Sequence, residues 1–119
     1  MRKRIAAAVV TAALAATGFA GAVQAQTKYE RWIDASGQKG IAFGGLAAKK
    51  AKCTTGVKVV LRRIFPNETT EIVAVTKSDS NGEFGIQGLD AGVYFFKAPK
   101  VKKGSVTCLA TTSGKVEVE

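Results

Sequence analysis

The chain has 119 residues and a formal net charge of +9, from 18 Lys plus Arg against 9 Asp plus Glu. That length allows one domain and excludes a multidomain architecture. The sequence contains no histidine, so it lacks the commonest general base and a common zinc ligand, which argues against catalysis and a zinc site.

The first 25 residues have the pattern of a signal peptide. Residues 2–4 are basic, residues 5–20 are apolar and Ala-rich, and Val23-Gln24-Ala25 offers small side chains on either side of Gln24. Cleavage before Gln26 would lower Lys plus Arg from 18 to 15 and leave Asp plus Glu at 9, a net charge of +6. An uncleaved membrane anchor is the alternative, but the apolar run falls short of the ~20 residues that a span needs. We therefore predict export to the cell envelope or the medium, with no transmembrane segment in the mature chain.

Short alternating segments fill the rest of the chain. Residues 26–39 are predicted to form a polar lead-in or edge segment with a turn at residues 34–37, and residues 40–119 to form the domain. Strands are predicted over residues 39–46, 57–65, 70–76, around 84–86 and 93–96, and over 106–110 and 115–118. One helical turn is predicted within residues 47–52, and a Lys-rich loop over residues 99–105. Seven or eight short strands at intervals near ten residues predict an antiparallel β-sandwich.

The segment Thr76–Ala98, TKSDSNGEFGIQGLDAGVYFFKA, is the most informative. Asp79 and Asn81-Gly82 favour a tight hairpin turn. Phe84 and Ile86 alternate with polar or small residues, as in a half-buried strand. Leu89 is expected to point inward from the next loop.

This segment carries a resemblance to a known family. The pattern T-x-S-D-x-N-G-x-F-x-I-x-G-L-x-A-G-x-Y, with the upstream run G-V-K-V-V-L, resembles carboxypeptidase regulatory-like (transthyretin-like, prealbumin-like) β-sandwich domains. The resemblance covers roughly residues 40–118 and implies an all-β, Ig-like or prealbumin-like sandwich in which Tyr94 lies inside and anchors a loop through its hydroxyl. The motif residues are Asp79, Asn81, Gly82, Phe84, Gly88, Leu89, Gly92 and Tyr94. Such a fold hosts many activities, so the resemblance implies no ligand.

The two cysteines, Cys53 and Cys108, both lie in the exported part. An even count in an oxidising compartment predicts one disulfide, and two free thiols or metal ligands are the alternatives. Small exported bacterial proteins similar to this fold carry cysteines at the corresponding places, before the G-V-x-V-x-L strand and in a G-x-V-x-C segment, which implies the same pairing.

The candidate ligand contacts are aromatic and basic. They are Trp32, Phe95, Lys49, Lys50, Lys100, Lys102 and Lys103, with Lys52 and Lys97 in the same two lysine groups. A Cys53–Cys108 bond would bring the two lysine groups to one end of the domain, as a cationic patch for an acidic polymer or as plain solubilising charge. Trp32 is expected to be buried or, if exposed together with Phe95, to form a carbohydrate- or protein-binding surface. Nucleic acid is not expected, because aromatic residues are not interleaved with the basic run.

The acidic residues near the central turn, Asp79 and Glu83, are interpreted as solvated turn residues. The run around Asn81 lacks the spacer and terminal glutamate of a calcium loop, so no metal or cofactor is predicted. We expect a secreted, non-catalytic structural or binding module of unknown ligand. The alternative is a module that binds carbohydrate or a cell-surface polymer, and another protein is also a candidate partner.

Overall fold

A computed structural model describes residues 27–119, and the predicted signal peptide lies outside these residues. Eleven strands and one 3-10 turn lie between Thr27 and Val118. In chain order they are β1 Thr27–Tyr29, β2 Arg31–Gln38, β3 Ile41–Ala48, the 3-10 turn Ala51–Cys53, β4 Lys58–Ile64, β5 Thr70–Lys77, β6 Glu83–Gln87, β7 Gly92–Ala98, β8 Val101–Lys103, β9 Val106–Cys108, β10 Thr111–Thr112 and β11 Val116–Val118. The all-β prediction is confirmed, with more strands than the seven or eight expected. Within this part of the chain, no helix has the length and apolar character that a membrane span requires.

The strands form three sheets. One has the order β2-β3-β6, and a second has the order β10-β7-β4-β5 with β11 also paired to β7. The third is small, with the order β1-β9-β8. All pairings are antiparallel except that of β1 with β9.

A single core cluster draws on both larger sheets. Its buried members are Ala42, Leu46, Val57, Val59, Leu61, Phe84, Tyr94, Phe96, Ala98, Val116 and Val118. Within each strand these core residues lie at alternate positions, because successive side chains of a strand point to opposite faces of the sheet. The rings of Phe84 and Phe96 meet edge-on across the two sheets, with their centroids 4.7 Å apart.

The turn at residues 78–82 joins two different sheets, because β5 and β6 belong to separate ones. The hairpin prediction was therefore wrong, although the turn itself is confirmed. Asp79 Oδ1 accepts hydrogen bonds from the backbone N–H groups of Asn81 and Glu83, each at 2.8 Å. Of the Asn81-Gly82 pair, only Gly82 has a positive φ, at 80°, whereas the two-residue hairpin turn favoured by Asn-Gly needs two such residues.

Two further predictions were wrong. Residues 34–37 lie inside β2 rather than in a turn, and residues 101–103 form β8 rather than part of a loop. Packing explains why residue 37 is a glycine although it lies within a strand. A Cβ at this position would lie 2.1 Å from the backbone oxygen of Glu117. Glycine there lets the backbones of β2 and β11 approach, so it does not mark a turn.

The carboxyl-terminal strand β11 is built into this core. Val116 and Val118 are buried, and β11 pairs with β7 through Tyr94, Val93 and Gly92. The backbone N–H of Gly40 donates to the oxygen of Glu119 at 3.1 Å. The last four residues therefore contribute both buried side chains and backbone hydrogen bonds.

Candidate functional site

A surface groove of about 540 Å³ runs along the start of the described chain, and we call it the aromatic–basic groove. Its lining residues are Lys28, Tyr29, Glu30, Trp32 and Lys49. They come from β1, the link to β2, the start of β2 and the residue after β3. Trp32 pairs across β2 and β3 with Ala47, and this small neighbour leaves the indole 53% exposed.

Arg31 fixes the backbone beneath this groove. Its side chain is buried, and its guanidinium donates to four backbone carbonyls: Leu109 at 2.9 Å, Cys53 at 3.3 Å, Ala98 at 3.4 Å and Pro99 at 2.7 Å. Burial lowers the pKa of the Arg31 guanidinium below its ordinary value, because desolvation disfavours the charged form. A guanidinium remains protonated at neutral pH even so. Trp32 is thereby directed outward, on the opposite face of β2.

The groove's second aromatic residue, Tyr29, rests on the disulfide. Cys53 and Cys108 are bonded, with Cα atoms 5.4 Å apart, and both are fully buried together with Val106. Tyr29 packs against this cluster, and its carbonyl accepts a hydrogen bond of 2.9 Å from the N–H of Leu109. One wall of the groove is therefore held by a covalent bond and by backbone hydrogen bonds.

Lysines give the groove its positive charge. Lys28 and Lys49 are both exposed, against one exposed carboxylate, Glu30. In the small sheet, Lys28 and Lys102 lie in register on either side of Thr107, so they share one face roughly 10 Å apart. The positive surface therefore continues from the groove onto β8.

The two predicted lysine groups do meet near the disulfide. Lys103 Nζ donates to the carbonyl oxygen of Lys52 at 2.9 Å and to that of Thr55 at 3.2 Å. Lys103 therefore has a structural role, because its ammonium joins β8 to the segment around the 3-10 turn. The remaining members of the two groups are exposed: Lys49, Lys50, Lys52, Lys97, Lys100 and Lys102.

Trp32 and Phe95 do not form one surface. Trp32 lies on β2, and the half-buried Phe95 lies on β7, in the other large sheet. Each alternates with residues that face the core, so both point away from it on separate sheets. The expected burial of Trp32 was wrong, because Arg31 takes the inward position beside it.

Lys28, Tyr29, Glu30 and Arg31 were not singled out from the sequence, where they fall within the predicted polar lead-in or edge segment of residues 26–39. The sequence of β2 carries a signal for this arrangement. Its apolar residues Ile33 and Ala35 stand at alternate positions, and both pack against the core. Extending that alternation backward puts Arg31 inward and Trp32 outward. An inward arginine followed by an outward tryptophan conflicts with ordinary burial preferences, which is why the pattern was missed.

The residues of the family-like motif are structural in this fold. Tyr94 is buried, and its hydroxyl donates to the carbonyl oxygen of Asp90 at 2.7 Å, as the resemblance implies. Leu89 packs against the core from its loop. Asp79 caps the turn at Asn81-Gly82, and residues 27–119 contain no group of three or more potential metal-binding side chains.

A second groove, of about 400 Å³, lies beside Arg63, Phe65 and Lys115. Lys115 is exposed there, but the Arg63 guanidinium is already engaged, because it donates to the carbonyl oxygen of Ala91 at 3.0 Å. The guanidinium carbon of Arg63 also lies 5.3 Å from the ring centre of Phe65 and 5.7 Å from that of Tyr94. The aromatic–basic groove is therefore the better candidate, since its lysines and its indole are exposed.

Comparison with known proteins assigns no family. No family model matches the sequence, and no curated protein matches it. The resemblance to carboxypeptidase regulatory-like domains thus remains a prediction from the motif residues.

Proposed function

We propose that this chain is an exported, non-catalytic β-sandwich module of the carboxypeptidase regulatory-like type, and that the aromatic–basic groove binds an acidic polysaccharide of the cell surface. The observation that carries the proposal is the exposed Trp32 indole, which lines one groove together with Lys28 and Lys49. An indole offers a flat apolar face to a sugar ring, and ammonium groups attract the carboxylates of the same polymer.

Three features support a binding role over a catalytic one. The sequence has no histidine, and both cysteines are consumed in a disulfide. The hydroxyl of Ser78, a buried serine, is engaged with the backbone, accepting from Val57 N–H at 3.0 Å and donating to Thr54 O.

What supports the sandwich type is the single core shared by the two larger sheets, together with the motif residues.

The experiment measures binding of oxidised chain 26–119 to polygalacturonate, with neutral dextran as the reference polymer. Trp32 is the sole tryptophan of the sequence, so its fluorescence reports on the groove directly. We expect polygalacturonate to change the emission and the apparent affinity to fall with added salt, because exposed charges are screened.

Variants separate the groove from net charge. The variants are measured by titration calorimetry, because Trp32→Ala removes the sole tryptophan. We expect Trp32→Ala to weaken binding about tenfold and the pair Lys28→Gln with Lys49→Gln to weaken it about three- to tenfold. The matched control is Lys39→Gln with Lys58→Gln, which removes the same charge from exposed positions outside the groove and outside both lysine groups. Unchanged Trp32 emission, or an equal loss in the control pair, would show that the groove is not the binding site.

A further inference from the structure

The edge strand β5 has an exposed apolar surface. Thr70–Lys77 ends its sheet, with β4 hydrogen-bonded on one side and no hydrogen-bonded strand on the other among residues 27–119. Ile72, Val73 and Val75 are 54%, 41% and 57% exposed, and they are three of the five exposed large hydrophobic residues of that range. A long apolar edge strand of this kind is a template for pairing with another strand.

A bulge in β5 increases its apolar exposure. Leu61 pairs with Ala74 but Arg62 pairs with Ile72, so Val73 is an extra residue in β5. Ala74 packs against the core, while the residues on both sides of it are exposed. Regular alternation would turn one of Ile72 and Val73 inward, whereas the bulge leaves both at the surface.

The other end strands of the two larger sheets expose fewer apolar side chains than β5 does. The outward side chains of β2 are Trp32, Asp34, Ser36 and Gln38, which are mostly polar. The exposed residues of β6 are Glu83, Gly85 and Gln87, and β10 has only two residues, both threonine. Natural edge strands are commonly protected by an inward charge, a proline or a bulge, and of these three β5 has only the bulge between Glu71 and Lys77.

We propose that β5 is the dimerisation edge of this protein, where it pairs antiparallel with β5 of a second copy about a two-fold axis. The strand's exposed charges select this partner and this direction, since Glu71 lies near one end and Lys77 at the other. An antiparallel pair places Glu71 of each copy near Lys77 of the other, which gives two ion pairs. A parallel pair would place like charges together at both ends.

The same arrangement predicts a closed dimer rather than a fibre. A two-fold contact uses the same strand on both copies, and each copy has one β5. The opposite end of that sheet is formed by β10 and β11, which both pair with β7 and, at two and three residues, are too short to recruit a further strand. Growth therefore stops at two copies.

The experiment is sedimentation of oxidised chain 26–119 over a range of concentrations, with intact mass and circular dichroism as folding checks. We expect a reversible monomer–dimer equilibrium. Val73→Lys should weaken the dimer at least about tenfold, because each copy then brings a cation to the axis. Phe43→Lys is the matched control, since it makes a similar change at an exposed residue of β3, in the other large sheet, and should leave the dimer intact.

Charge reversal tests the strand direction. Glu71→Lys and Lys77→Glu should each weaken the dimer about three- to tenfold. The double variant should restore it, because its two charges are exchanged and the pairs form again. A mixture of the two single variants should form a mixed dimer that is tighter than either parent dimer.

Three results would overturn the proposal. The first is a wild-type chain that stays monomeric at every concentration, whether or not another segment protects the β5 amides from hydrogen exchange. The second is a dimer that Val73→Lys does not weaken. The third is a double charge reversal that remains as weak as the single ones. The control Trp32→Ala, which alters the groove but not β5, should dimerise as the wild type does, so this result is independent of polysaccharide binding.

Discussion

Arg31 places a permanent cation in the interior and satisfies it with backbone oxygen. Its four acceptors belong to the end of the 3-10 turn, to the end of β7 and the residue after it, and to the residue after β9. One side chain therefore joins segments that are up to 78 positions apart in the chain. The planar guanidinium can reach several acceptors at once, whereas the single ammonium group of lysine cannot span the same set.

Arg31→Lys should consequently destabilise the fold. We expect a loss of about 2–4 kcal/mol in the free energy of unfolding, because the lysine leaves buried carbonyls without a donor. Urea unfolding followed by circular dichroism measures this change. Arg62→Lys is the control, since Arg62 lies on the surface and its Nε donates to Thr70 Oγ1, and it should cost less than about 1 kcal/mol. Equal losses in the two variants would contradict the role assigned to Arg31.

Gly82 and Gly88 form a second matched pair at this scale. Both have positive φ, 80° and 73°, but a Cβ at Gly82 would lie 2.8 Å from the oxygen of Leu46, whereas one at Gly88 would meet nothing within 4 Å. Gly88→Ala should cost about 1–2 kcal/mol for its backbone conformation alone. Gly82→Ala should cost more, because it adds a clash at the turn that joins two sheets. The urea concentrations at the midpoints of unfolding measure the two losses of stability. A lower midpoint for Gly88→Ala than for Gly82→Ala would contradict the prediction.

The sequence predicted most of the strands but not how they combine. The apolar residues Val57, Val59 and Leu61 recur at every second position, so β4 was found, although Val60 between them is also buried. In β6, Phe84 alternates with the exposed Glu83 and Gly85. The turn at Asp79 was also found, yet it joins two sheets instead of closing a hairpin. Local turn chemistry sets the direction of a short segment, whereas long-range packing decides which strands pair.

Only part of the candidate site could be predicted. Trp32 and Lys49 were named from the sequence, because exposed aromatic and basic residues commonly mark binding surfaces. Lys28 and Tyr29 join them through the parallel pairing of β1 with β9, at positions 79 residues apart, such as Tyr29 and Cys108. No local pattern reports a contact of that separation, so the groove itself could not be predicted.

The disulfide is the covalent attachment of the small sheet β1-β9-β8, in addition to the hydrogen bonds of Arg31 and Lys103. Its buried cluster is small and consists of Val106 and the two half-cystines. Replacing both Cys53 and Cys108 with serine should lower the free energy of unfolding by roughly 4 kcal/mol, from the chain entropy of a 55-residue separation. Chemical denaturation measures the loss, and hydrogen exchange should show β1 and β9 affected first. A double variant as stable as the wild type would contradict this prediction.

At the scale of the whole molecule, the two proposals reinforce each other. A dimer joined through β5 carries two aromatic–basic grooves, one on each copy. Binding at one groove then raises the effective concentration of the polymer at the other, provided that the polymer spans both. Apparent affinity for long polygalacturonate should therefore rise with dimer formation, whereas affinity for a short oligomer should not.

The placement of β11 has a consequence for how the protein is made. A ribosome or an export channel releases a chain with its amino end first, so Val116 and Val118 emerge after every other core residue of the range 27–119. Until they do, β7 lacks one antiparallel partner, Gly37 has no neighbour to pack against, and the shared interior stays open to water. Completion of the fold therefore waits until β11 has emerged, and a chain that lacks residues 116–119 should be degraded by proteases.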